Sequence, residues 1–240
     1  ISRCVLDPRV MQSDKYKLVK TKHKKKVAVI GGGIGGMECA LVLAKRGHSV
    51  TLYEKSDKLG GVFIAASMPD FKEADKMLIA WYNREIRSYP SIEIHLNTEV
   101  KDVNSLKADA VIVATGATPR KLDISGKHLA IEAIDYLLGN KEVGETVAVI
   151  GGGLTGCEIA YDLYLQGKKP IIVEMMDDLI VTKGICLANT SYLRDFFKTN
   201  KVPVHLETAL CEVLADGVVV KDKEGKEFKI DADNVIMSVG

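Results

Sequence analysis

Lys26-Val27-Ala28-Val29-Ile30 runs into Gly31-Gly32-Gly33-Ile34-Gly35-Gly36, and the pattern returns 120 residues later as Thr146-Val147-Ala148-Val149-Ile150 followed by Gly151-Gly152-Gly153-Leu154-Thr155-Gly156. At the same offset Glu38 matches Glu158, Leu43 matches Leu163, Gly47 matches Gly167 and Glu54 matches Glu174. Further on, residues 109–116 are similar to residues 233–240. A period this long is not that of a solenoid; it marks a duplicated domain. Each copy opens with a short, apolar, β-branched run, which reads as a buried parallel strand. Glycines follow, then helical spacing of apolar residues: Met37, Ala40, Leu41 and Ala44 in the first copy, Ile159, Ala160, Leu163 and Tyr164 in the second. Gly47 and Gly167 stand where a helix end favours a left-handed residue. Second strands are predicted over residues 49–53 and 170–173. Strand, helix and parallel strand make a right-handed crossover. The expected fold class is α/β, with two tandem Rossmann-like dinucleotide-binding domains over residues 26–118 and 119–240, preceded by a linker over residues 1–25.

The glycines have separate tasks. Gly31 permits the tight turn, Gly33 lets a diphosphate approach the backbone, and Gly36 lets the helix pack closely on its strand. The helix N-terminus then offers free N–H groups and its positive dipole end to phosphate. Glu54 lies 18 residues beyond Gly36, at the end of the second strand. A carboxylate there accepts both hydroxyls of an adenosine ribose. Gly151, Gly153, Gly156 and Glu174 repeat the arrangement. One GxGxxG is weak; two, each between a strand and a helix and each with an acid at the right distance, are specific. Glycine used only for packing is the competing reading. Glu174 repels a ribose 2′-phosphate, so the second site is expected to prefer NADH to NADPH. Lys168 and Lys169, close in sequence, are expected to soften that preference.

Thirty-three Lys and Arg against 32 Asp and Glu leave a formal charge of +1, which excludes a global electrostatic footprint for nucleic acid. With 47% hydrophobic and 27% charged residues the chain reads as a soluble globular protein rather than a disordered one. The apolar stretch from Val27 to Ala44 holds several glycines and Glu38, so it reads as strand plus helix, not a membrane span. Cys4, Cys39, Cys157, Cys186 and Cys211 are odd in number and widely spaced, and no signal peptide stands before them. That pattern implies a reducing, cytoplasmic setting. The basic run of Lys15, Lys17, Lys20, Lys22, Lys24, Lys25 and Lys26 reads as a solvated linker, with an acidic or nucleic-acid partner as the alternative. His95 and His205 occur in matched contexts and read as structural. Neither a Ser/His/Asp set nor a metal-ligand cluster stands out, which leaves the hard chemistry to cofactors.

In the first copy, loop and acid are followed by Leu59-Gly60-Gly61 and later by Ala114-Thr115-Gly116. This arrangement resembles the FAD domain of flavoproteins with two dinucleotide-binding domains, and the second copy resembles the NAD(P)H domain inserted into it. The disulfide reductases among them are disfavoured, because Cys39 and Cys157 are single and lie in apolar helical patterns. Cys4-Val5-Leu6-Asp7-Pro8 is similar to the Cys-x-x-Asn-Pro segment of iron–sulfur NADH:flavin oxidoreductases of the old-yellow-enzyme type, which include 2,4-dienoyl-CoA and 2-enoate reductases. Residues 59–66, with Pro69, Phe71-Lys72-Glu73 and Trp81-Tyr82, look most like the enoate reductase branch. Asp7 and Val62 depart from that pattern, which usually has Asn and Gln there.

The resemblance implies roles. Gly31, Gly33 and Gly36 cradle the FAD diphosphate and Glu54 holds its ribose; Lys55 lies by the adenine or is a solvated surface lysine. Gly61 allows close approach on the flavin side, and Thr115 and Gly116 form the crossover near the flavin phosphates. Gly151, Gly153, Gly156 and Glu174 bind NADH. Glu158 approaches the nicotinamide amide or is a helix-surface charge. Cys4 is the last ligand of a [4Fe–4S] cluster whose other cysteines, together with an FMN-bearing barrel, precede Ile1. The chain is then expected to be a fragment, its FAD domain incomplete at Gly240. The implied activity passes hydride from NADH to FAD and electrons through the cluster to FMN, for reduction of an enoate or enoyl thioester. A non-enzymatic NADH-sensing module and a ferredoxin- or glutamate-synthase-type reductase subunit remain alternatives. Whether the protein is a homo-oligomer stays open; neither a membrane nor nucleic acid is expected as partner.

Overall fold

A computed structural model describes residues 10–182 and 184–239. Cys4 and its segment lie outside the described residues. The chain divides into two compact units, residues 10–64 with 74–117, and residues 65–73 with 118–239.

In the first unit β1 (Lys26–Ile30), β2 (Ser49–Tyr53), β3 (Ile92–His95) and β4 (Ala110–Val113) form a wholly parallel sheet in the order β3-β2-β1-β4. Helix α1 (Ile34–Lys45) crosses from β1 to β2. It ends at Gly47, whose φ of +96° suits a residue without a Cβ. The short α2 (Phe63–Ala66) and the long α3 (Glu73–Arg87) lie between β2 and β3. Successive strand residues point to opposite faces. Val29, Val50, Leu52 and Ile92 therefore share the face that packs on Met37, Ala40, Leu41 and Ile86 of the helices. On the other face Val111 and Val113 of β4 are exposed.

In the second unit β5 (Ile131–Glu132) leads into α4 (Ala133–Leu137). The repeat follows as β6 (Thr146–Ile150), α5 (Leu154–Leu165) and β7 (Lys169–Val173), then α6 (Leu187–Thr199) and β8 (Val204–His205). Strand β7 starts at Lys169, one residue earlier than the sequence pattern predicts, because the Lys169 N–H bonds to the Glu145 carbonyl. Three antiparallel strands, β9 (Ala209–Leu214), β10 (Gly217–Lys221) and β11 (Glu227–Asp231), precede β12 (Asn234–Met237). The parallel sheet runs β5-β12-β6-β7-β8. Both of its faces are covered, as a parallel sheet requires. Val147, Val149, Ile172 and Ile236 meet Ile159, Leu163, Leu193 and Phe197 of the helices. Ala148, Ile150, Val173 and Val235 meet Val213, Val218, Val220 and Ile230 of the antiparallel strands.

The helices of the second unit converge on Phe197, which is 2% exposed. Phe197→Ala is expected to cost about 3–5 kcal/mol, read as a lower denaturant midpoint at unchanged slope. Leu165→Ala, at the exposed end of α5, is expected to change stability by less than about 0.5 kcal/mol.

Candidate dinucleotide sites

The two glycine turns are built alike. Gly31 and Gly151 hold φ of +108° and +105°, and a Cβ there meets the carbonyl oxygens of Ala114 and Ser238 at 2.3 and 2.4 Å. A Cβ on Gly36 falls 1.8 Å from the Gly31 carbonyl oxygen, and one on Gly156 falls 1.9 Å from that of Gly151. These four positions close the turn on the strand. Gly33 and Gly153 differ: a Cβ on either meets nothing within 4 Å. Each caps its helix in extended backbone, with φ and ψ of −70° and 179° for Gly33 and −68° and 179° for Gly153, and no side chain bonds the first-turn N–H groups. Two twelve-residue helices thus present uncapped N-termini to open space, the donor set a diphosphate takes.

The acids are fixed from behind. Glu54, buried, accepts the Gly32 N–H at 2.6 Å on Oε2, and the Ser56 N–H and hydroxyl at 2.8 Å on Oε1. Glu174 accepts the Gly152 N–H at 2.5 Å and the Met176 N–H at 2.7 Å. Burial raises the Glu54 carboxyl, but the N–H groups of Ser56 and Gly32, the Ser56 hydroxyl and the Lys55 charge together hold it below the usual carboxylate range. With about four acceptor sites per carboxylate, Glu174 keeps two for a ribose diol and Glu54 keeps one. The motif reading assigned nothing to the middle glycines, yet a Cβ on Gly32 meets Leu59 Cδ2 at 2.5 Å and Glu54 at 3.0 Å, and one on Gly152 meets Leu179 and Glu174. The unbroken Gly-Gly-Gly in both copies was the signal for this.

The first set of predicted residues gathers at the C-terminal edge of its sheet. Lys55 is exposed just after Glu54, and Gly61 packs beside Gly33 at φ +56°. Thr115 and Gly116 follow the end of β4, both exposed, with Gly116 at φ +72°. Gly151, Gly153, Gly156 and Glu174 occupy the corresponding edge of the second sheet, and Glu158 begins the second turn of α5. The Glu158 carboxylate is paired with Lys72 Nζ at 2.6 Å, a partner the motif reading did not assign. His95 and His205 end β3 and β8, and their carbonyls accept the N–H groups of Glu54 and Glu174 at 2.8 Å, a structural task. One expectation is corrected. Lys168 and Lys169 do not lie near Glu174: Lys168 Nζ donates to the Val143 and Gly144 carbonyls, and Lys169 pairs with Glu145 at 2.8 Å. Strand β7 carries Glu174 away from them by roughly 16 Å at about 3.3 Å per residue.

Two cradles of this kind in one chain define the tandem dinucleotide-binding class of flavoprotein oxidoreductases. The chain belongs to the pyridine nucleotide-disulphide oxidoreductase family, whose model matches residues 25–240. It is 40% identical over 240 residues to a cinnamate reductase of Clostridium sporogenes, covering 99% of this chain and 36% of that one. It is 34% identical over 246 residues to an NADH oxidase of Thermoanaerobacter brockii, covering 99% and 38%. The solved structure of a 2-naphthoyl-CoA reductase in complex with 2-naphthoyl-CoA superposes with a TM-score of 0.88 at 29% identity, covering 99% of this chain and 36% of that chain. The chain thus spans under two fifths of the length of these relatives. Among the described residues no helix is long and apolar enough to cross a membrane.

Gly33→Val is expected to leave the melting temperature within about 1 °C and abolish FAD binding, while Gly36→Ala costs more than about 2 kcal/mol of stability. Because the folded Glu54 carboxyl titrates below its unfolded value, the stability it contributes is present above about pH 4.3 and is lost as pH falls through the lowered value. The stability gap between the protein and its Glu54→Gln variant should therefore shrink on acidification, measured by urea unfolding across that range.

Proposed function

We propose that this chain is the electron-entry module of a longer NADH-dependent reductase that acts on an activated carbon–carbon double bond of an enoate or enoyl thioester. The observation that carries the reading is the pair of open helix N-termini over Gly33 and Gly153, each with its acid held ready. Bound FAD would supply the hydride-accepting redox chemistry between NADH and a [4Fe–4S] cluster and FMN, which the remainder of the longer protein would hold.

Gly31, Gly33 and Gly36 hold the FAD diphosphate at the first site and Glu54 orients the ribose. Gly61 allows close backbone approach on the flavin side, Thr115 and Gly116 form the crossover near the flavin phosphates, and Lys55 stands at the adenine end. Gly151, Gly153 and Gly156 hold the NADH diphosphate, and Glu174 takes the ribose diol. Glu158 faces the nicotinamide half of the ligand. Cys4 is proposed as a cluster ligand, completed by cysteines of the longer protein. The similarity to a cinnamate reductase and to a 2-naphthoyl-CoA reductase supports the substrate class.

Lys168 and Lys169, the lysines nearest Glu174 in sequence, are engaged at the far end of β7, away from a 2′-phosphate beside that acid. NADH is expected to bind at least about tenfold more tightly than NADPH, from the cost of placing like charges together, and anaerobic NADH is expected to bleach the flavin of the longer protein loaded with FAD. Equal affinity for the two nucleotides, or flavin of the longer protein that stays oxidised under excess NADH, contradicts the proposal.

A further inference from the structure

Residues 65–73 belong to the second unit, and two neighbouring side chains show why. They lie in a single 3-10 turn, Asp70–Lys72, and grip successive turns of α5. Phe71 packs edge-on against Tyr161 with ring centroids 5.1 Å apart. Lys72 Nζ meets Glu158 Oε1 at 2.6 Å, both side chains 22% exposed. Residues three apart on a helix share a face, so one turn of chain clasps the Glu158–Tyr161 face.

Glu158 begins the second turn of α5, about 6 Å along the axis from Leu154 at about 1.5 Å per residue. A bare carboxylate there opposes what the helix N-terminus offers, because its negative charge repels the diphosphate that the N–H groups and dipole attract. The repeat supplies an internal comparison. Glu38, the matching acid of the first copy, is exposed and accepts a neutral donor, the Tyr82 hydroxyl at 3.1 Å. Burial and the Glu38 charge push the Tyr82 phenol up to about 12, so it remains an uncharged donor at neutral pH. The two helices carry matching acids and differ in the partner each takes, the Lys72 ammonium for Glu158 and the Tyr82 hydroxyl for Glu38.

We propose that Lys72 is a positioning residue of the second dinucleotide site: it holds the Glu158 carboxylate against α5 and offsets its charge beside the diphosphate cradle. This rests on the proposed function, in which that cradle takes NADH. Lys72 acts through Glu158 and need not touch the ligand.

The test is calorimetric titration of FAD-loaded protein with ADP-ribose, which carries the diphosphate and both riboses but no nicotinamide ring. Lys72→Met is expected to weaken binding about fivefold, as one unpaired charge a helical turn from the phosphates should. Lys72→Arg is expected to retain affinity within about twofold, and adding Glu158→Gln to Lys72→Met to restore it to that range, because no charge remains to be offset. Circular dichroism melts of each variant keep loss of folding apart from loss of binding. A Lys72→Met protein that binds as tightly as the parent, or a double variant as weak as Lys72→Met, overturns the inference while leaving the second site intact. A parent protein that takes no ADP-ribose overturns the proposed function and this inference with it.

Discussion

The hydrogen bond from a glycine N–H to the carboxylate at the end of the next strand sets each nucleotide site. Gly32 to Glu54 and Gly152 to Glu174, at 2.6 and 2.5 Å, tie the strand-to-helix turn to the neighbouring strand and fix the acid beside it. A charge-assisted bond of this length is among the stronger protein hydrogen bonds. It exists only because the middle glycine has no side chain. The three consecutive glycines answer three different constraints: the first sits at left-handed φ under a carbonyl, the second admits the acid, and the third keeps open the space over the helix.

Around this constant centre the duplicated units have diverged. The bonds at the base of each sheet are the same: the Asp109 carboxylate accepts the Lys26 N–H at 2.7 Å and the Asp233 carboxylate the Thr146 N–H at 2.8 Å. What differs is the cover. Where the second copy inserts β9–β11 between β8 and β12, the first joins β3 to β4 through residues 96–109, with one 3-10 turn at Val103–Ser105 and no strand. The second sheet therefore has antiparallel strands on the face away from its helices, whereas in the first unit Val113 on that face is 65% exposed. A parallel sheet in water tolerates such a face poorly.

Most of the skeleton was legible in the sequence because it is written in local rules. Apolar β-branched runs marked β1 and β6, glycine spacing marked the starts of α1 and α5, and Gly47 and Gly167 marked their ends. The acids Glu54 and Glu174 were legible from their fixed distance to the glycines. The Lys72–Glu158 pair was not, because its members are far apart in sequence and only the packing of Phe71 on Tyr161 brings them together. Lys168 and Lys169 misled for the converse reason: nearness in sequence to Glu174 became distance once the intervening residues extended as β7. Pattern reading assigned no task to the middle glycines, since spacing alone cannot reveal that Leu59 and Leu179 occupy the space above them.

If the two turns are separate diphosphate cradles with different ligands, a crystal structure of the protein grown with FAD and soaked with NAD+ will show the flavin diphosphate over Gly33 with its ribose on Glu54, and the nicotinamide dinucleotide diphosphate over Gly153 with its adenosine ribose on Glu174. Both nucleotides found in one cradle, or a diphosphate bound away from the N-termini of α1 and α5, would refute that assignment.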